Sequence, residues 1–188
     1  MKRHSIIWIF FAILIACSLV YDISNINKSE YNMLVNVDEF YISTASEFRS
    51  FANAVNSGEV FEGKTIYLTN DIDLENSNWI PIDMFYGTFE GNGHVVSNIH
   101  LSSNAPYGEL GLFACNYGTI RNLGVKNIYY DVTEDIGPLI IGSVVSRNFG
   151  LVYSCFNASN INLDFEYFTD IYVGGICGEN QRSYRLYI

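Results

Sequence analysis

The chain has 188 residues, of which 49% are hydrophobic, 15% aromatic and only 16% charged, with ten Lys and Arg against twenty Asp and Glu. That length buries enough surface for one domain with a sizeable core, and three prolines with about half the residues apolar exclude a disordered chain. A net charge of −10, with no basic run after residue 3, excludes most nucleic-acid roles, which need clustered Lys and Arg against phosphate.

Met1 to Leu14 reads as an export signal, with Lys2, Arg3 and His4 ahead of an apolar run from Ile6 to Leu14. The 17 residues from Ser5 to Tyr21 carry no charge, which is shorter than the roughly 20 apolar residues of a spanning helix. Leu14-Ile15-Ala16-Cys17 resembles the lipobox of bacterial lipoproteins, which implies acylation of Cys17 and a membrane tether at the mature N-terminus. Lipidation is the favoured expectation; an uncleaved anchor and plain cleavage with secretion are the alternatives, and all three place the domain outside the cytoplasm. The expected segments are a signal peptide over 1–16, a tether over 17–42 and a folded domain over 43–188. Cys115, Cys155 and Cys177 remain in the folded part, and their spacing fits no paired metal-binding pattern. They read as small buried hydrophobes, a disulfide between two of them staying open, and no metal or cofactor is expected.

Thr44-Ala45-Ser46-Glu47 has the spacing of a capping box. Phe48, Phe51, Ala52 and Val55 then form one apolar stripe at helical period, and Gly58 provides a stop. After Gly58 the pattern changes to short β runs broken by Gly and Asn, the clearest being Thr65 to Leu68, Val95 to Leu101 and Ile120 to Ile128.

The β part repeats itself. Asn116, Asn148 and Asn180 are separated by 32 residues each time, and aligning on them matches Gly111 to Asn116 with Ser143 to Asn148 and Gly175 to Asn180. Such a repeat suits one turn of a β-solenoid, in which each strand pairs with its equivalent one turn on, at about 4.8 Å. The expectation is an all-β fold, a right-handed parallel β-helix with an N-terminal capping α-helix and an incomplete final coil. Leu112, Val144 and Ile176 are expected to form an apolar ladder, and Ala114, Ser146 and Gly178 a small-residue ladder. The three asparagines are expected to stack at a left-handed corner, and Arg147 to lie beneath Glu179 as a charge pair.

Gly174-Gly175-Ile176-Cys177-Gly178-Glu179-Asn180 resembles the repeat of the GLUG-motif proteins of bacterial surfaces, with looser copies over Gly111 to Leu123 and Gly142 to Cys155. The stretch holding Trp79-Ile80-Pro81-Ile82 and Gly87 to Gly93 is similar to what precedes those repeats. The resemblance covers about residues 43–181. It implies a parallel β-helix with adhesion or extracellular binding roles and no catalytic residues. Arg182 stands where the repeat places another Gly, so the chain reads as a truncated member or the first piece of a longer array.

Asp71, Asp73 and Glu75 alternate, which on a strand places three carboxylates on one face, suited to calcium or to acid–base work on a polysaccharide. Hydrogen bonding around a turn is the preferred reading. His94 and His100 read as structural, Gly91-Asn92-Gly93 as a tight turn and Trp79 as a packing residue. Tyr129 and Tyr130, with Phe165, Tyr167 and Phe168, set aromatic rings beside carboxylates and are the candidate contacts to a glycan or a surface protein. The function expected is a non-catalytic extracellular binding or adhesion module without nucleic-acid partners. A polysaccharide-acting lyase or hydrolase, and a non-functional remnant of a larger adhesin, are the alternatives.

Overall fold

The computed structural model describes residues 38–102, 108–132, 138–161, 163 and 170–181. Among these lie one helix, α1 (Ala45–Asn56), and fifteen strands numbered in chain order, so the protein is mostly β. Cys17, the 1–16 signal and most of the expected tether lie outside the described residues, as do Phe165, Tyr167 and Phe168.

The strands form four sheets, every pairing in them parallel. The first sheet runs β1 (Glu39–Ile42), β2 (Thr65–Leu68), β4 (Thr88–Glu90), β8 (Thr119–Arg121) and β12 (Leu151–Tyr153). The second runs β3 (Ile72–Asp73), β5 (Val95–Ser102), β9 (Gly124–Asp131) and β13 (Phe156–Ala158). The third joins β7 (Phe113–Asn116), β11 (Val145–Asn148) and β15 (Cys177–Asn180), and the fourth β6 (Glu109–Leu110), β10 (Leu139–Gly142) and β14 (Ile171–Gly174). From β2 onward consecutive strands sit in different sheets, and each pairs with its equivalent one repeat away. In the first sheet Phe40, Ile66, Phe89, Ile120 and Val152 fall in one row. Ile66, Phe89 and Ile120 of that row are fully buried.

Helix α1 forms as its sequence dictates. Thr44 Oγ1 accepts from the Glu47 N–H at 3.2 Å, and the Glu47 carboxylate accepts the Thr44 N–H at 3.1 Å and the Ser43 N–H at 2.8 Å. Its stripe of Phe48, Phe51, Ala52 and Val55 is buried, and Gly58 follows at φ 95. Phe48 stacks on Trp79 with centroids 5.0 Å apart, and Trp79 Nε1 donates to the Leu112 carbonyl at 3.0 Å.

Several expectations change. Glu39–Ile42, placed in the tether, is instead a strand, because Phe40 packs edge-on against Phe61 and Ile42 is buried. The long run expected from Ile120 divides into β8 and β9 at Asn122, whose φ is 54. Asn92 (φ 53) divides β4 from β5 and Ser154 (φ 53) divides β12 from β13 in the same way. These are the left-handed corners. Asn116, Asn148 and Asn180 are not; they end β7, β11 and β15 and act through their side chains. Leu112, Val144 and Ile176 lie in the bends before those strands, where the Phe113 N–H donates to the Val144 carbonyl and the Val144 N–H to that of Ile176. Close approach alone requires glycine at Gly118 and Gly150, among others: a Cβ on Gly118 would lie 2.0 Å from the Gly87 carbonyl oxygen, and one on Gly150 2.1 Å from that of Gly118.

Candidate binding surface

Parallel pairing brings like positions of successive repeats together, so the surface is organised in rows. The asparagine row is continuous: Asn116 Nδ2 donates to Asn148 Oδ1 at 2.7 Å, and Asn148 Nδ2 to Asn180 Oδ1 at 2.9 Å. Each of the first two amides also closes a local turn, Asn116 Oδ1 accepting the Gly118 N–H at 3.1 Å and Asn148 Oδ1 the Gly150 N–H at 3.3 Å. Asn116 and Asn148 thus each serve their own repeat and the next.

One residue further on comes a row absent from the sequence expectations. Tyr86 stacks on Tyr117 with centroids 5.0 Å apart and rings 11° from parallel, and Tyr117 on Phe149 at 4.8 Å and 5°. Tyr86 and Tyr117 remain exposed. The signal was available, since Tyr117 and Phe149 directly follow Asn116 and Asn148; Tyr86 was hidden because its neighbour is Phe85 rather than Asn.

Two buried carboxylates answer to arginines. Glu90, 6% exposed, accepts from Arg121 Nε at 2.6 Å, from Asn122 Nδ2 at 2.9 Å and from the Asn92 N–H at 2.8 Å. Burial acts to raise its carboxyl, but Asn122, the Asn92 N–H and Arg121 outweigh that and hold it below the usual range. Arg121 also donates to the Tyr153 hydroxyl at 3.0 Å. Glu109 behaves the other way. Burial pushes its carboxyl up although Arg147 Nη1 lies 3.2 Å away, and Cys115 Sγ stands 3.5 Å from its other oxygen. Arg147 Nε also lies 3.4 Å from Glu179, the pair foreseen from the repeat, at ion-pair distance without hydrogen-bond alignment.

Asp83, Glu109 and Cys115 bring one ligand atom each within 4.8 Å of one another. They are a poor cation site, since Arg147 already supplies positive charge to Glu109. Burial and the Glu109 carboxylate push the Cys115 thiol up to about 12, so a cation bound there would have to displace its proton. Cys115, Cys155 and Cys177 are all free.

At Asp71, Asp73 and Glu75 the preferred reading holds, hydrogen bonding around a turn, and the alternative row of three carboxylates is not assembled. Glu75 leaves the strand at φ 57. Asp73 Oδ1 accepts from the Glu75 N–H and from Asn98 Nδ2, both at 2.8 Å, and Asp71 Oδ1 from the Val95 N–H at 3.0 Å with His94 Nδ1 at 3.2 Å. These bonds hold both aspartates below the usual range, and through Oδ1 each aspartate is tied to the neighbouring repeat. Tyr129 and Tyr130, expected together, point to opposite sides of β9. Tyr129 is 59% exposed and meets His100 edge-on at 5.1 Å, whereas Tyr130 is 8% exposed and belongs to the core, because adjacent strand residues alternate faces. Tyr130 is therefore a core residue and not the ligand contact expected.

Fold and surface together define a mostly β protein of parallel sheets whose exposed side chains repeat in register. No family model, no curated protein and no solved structure matches the chain. Among the described residues no helix is long and apolar enough to cross a membrane.

Proposed function

We propose that the four parallel sheets are the walls of one right-handed parallel β-helix, and that the chain is a non-catalytic exported binding or adhesion module of the GLUG-repeat kind. It is tethered to the cell surface by lipid on Cys17. The observation that carries this reading is the stacked row of Tyr86, Tyr117 and Phe149 beside the asparagine row. A rigid array presenting similar groups at fixed intervals collects many weak contacts into useful avidity. The acidic surface and the aromatic residues fit a glycan or a surface protein, and the charge of −10 argues against nucleic acid.

Three experiments test it. The full chain, expressed in a bacterium fed an alkyne fatty acid, is expected to carry the label, and Cys17→Ser to lose it; label retained in Cys17→Ser overturns the lipid tether. Arrayed glycans and displayed surface proteins are expected to retain the chain without being altered. Amide protection in all four sheets that is lost in one cooperative urea transition supports a single β-helix, and separate transitions for the sheets overturn it.

A second reading, elimination or hydrolysis on a polysaccharide, is favoured by one feature: Glu109 is a carboxyl raised by burial, as an acid catalyst is. Product release from a uronic-acid polymer that disappears in Glu109→Gln would establish it in place of the binding module.

A further inference from the structure

Beside the C-terminal end of α1 lies a groove of about 360 Å3 between residues 55–60 and 80–86. Around it stand Val60, Ile80, Met84 and Tyr86, exposed by 60%, 57%, 55% and 42%. Single exposed apolar side chains are ordinary, but four gathered about one concavity mark a contact surface.

The backbone adds an independent sign. Met84 has φ 46, in the left-handed region that Gly or Asn occupies without strain and that a long side chain rarely adopts. Its surroundings hold it there: the Asp83 N–H donates to Asn56 Oδ1 at 2.9 Å, and Asn56 Nδ2 donates to the Pro81 carbonyl at 3.1 Å. The fold thus keeps a flexible, polarizable thioether turned out at the groove at a backbone cost, the kind of strain that gathers at binding sites. Glu59 and Asp83 also line the groove, no Lys or Arg does, and among the described residues neither carboxylate has an ion-pair partner. The chemistry that complements it is apolar in the middle and cationic at the edges. One face of Tyr86 is already stacked on Tyr117, so the groove offers a sugar a single aromatic face.

We propose that this groove docks a polypeptide segment of a partner protein that carries an aliphatic anchor flanked by Lys or Arg. The anchor seats among Val60, Ile80 and Met84, and the cationic side chains reach Glu59 and Asp83. The proposal rests on the binding-module reading and gives its partner a chemical class.

The probes are three fluorescent peptides of equal length, alternating Leu–Lys, Leu–Glu and Ser–Lys, titrated against the full chain and followed by polarisation. Saturable binding of Leu–Lys alone is expected. Ile80→Ser and Met84→Gly should each weaken it about tenfold, and Asp83→Asn should weaken it and reduce its salt dependence. Met84→Gly keeps the test honest about folding, since glycine relieves the left-handed backbone and should leave the melting temperature equal or higher. Equal binding of Ser–Lys, or no change in Ile80→Ser and Met84→Gly, overturns the proposal by reducing it to attraction between opposite charges. Concentration-dependent self-association abolished by Ile80→Ser, with no peptide bound, overturns it in favour of a second copy as occupant. Polysaccharide turnover would overturn the binding-module reading while leaving these titrations unchanged, so the two failures are distinguishable.

Discussion

Beneath α1 the interior is aromatic. Phe48 lies parallel to Trp79, Phe51 meets Phe85 edge-on at 6.0 Å, and Phe89 and Phe113 continue the cluster at 5.4 Å. In the later repeats the corresponding bends and strands hold Ser143, Val144, Val145 and Ser146, all buried. There Leu151, Tyr153, Phe156, Tyr172 and Val173 remain between 44% and 51% exposed. Both regions use the same parallel pairing, so pairing alone does not decide what fills the interior. Where apolar filling is deep, packing holds the register; where it is thin, side-chain hydrogen-bond rows such as Asn116–Asn148–Asn180 hold it.

That contrast is sharpest at Phe48. Truncation to Ala removes a fully buried ring and its stacking on Trp79, and should cost about 3–5 kcal/mol in urea unfolding. Phe156→Ala, at 48% exposure in a later repeat, should fall within about 0.5 kcal/mol of the parent. Similar losses at the two sites would dissolve the distinction between the regions.

Glu90 and Glu109 test whether charge is handled differently along the chain. Glu90→Gln is expected to cost about 2–3 kcal/mol at pH 7, since it leaves Arg121 without its carboxylate. The Glu90 carboxyl sits below its ordinary 4.5 in the folded protein, so its contribution is present above that pH and lost as pH falls through the folded value. The acid limb of stability against pH should therefore flatten in Glu90→Gln. Glu109 has the opposite sign. Its raised carboxyl contributes fully below 4.5 and loses that contribution as pH rises through the folded value, so Glu109→Gln should flatten the limb above 4.5 instead. Matching curves for the two variants would refute the assignment.

In the later repeats Asn148→Ala removes the donor to Asn180, the acceptor for Asn116 and a local turn bond. A loss of about 2 kcal/mol is expected, with amide exchange accelerating in β11 and β15 more than in β4. Uniform acceleration across all strands would mean the row does not hold its own region.

The helix, the 32-residue repeat and the pairing of Arg147 with Glu179 were legible because each rests on short-range spacing that survives translation into contacts. The corners were less so. Asn is common both at left-handed turns and in stacked amide rows, and only φ separates Asn122 from Asn116. Tyr129 and Tyr130 look alike in sequence, yet one face of β9 is buried and the other is not. Glu109 was missed because its repeat equivalents in the fourth sheet are Ile140 and, beyond it, Tyr172, so no conserved spacing announced a charge. The groove at Met84 was invisible for a different reason: nothing in a sequence marks a methionine as left-handed.

The smallest expected effect is the most pointed. Ser146 is fully buried and its hydroxyl has no hydrogen-bond partner among the described residues, so its desolvation is uncompensated there. Ala114 occupies the matching place in β7, which means the site accepts a methyl group there. Ser146→Ala should therefore raise stability by up to about 1 kcal/mol, read as a higher urea midpoint at unchanged slope. A fall of similar size would mean that the hydroxyl is engaged after all, and that the thinner interior of the later repeats is held together by polar contacts within the core as well as by the asparagine row beside it.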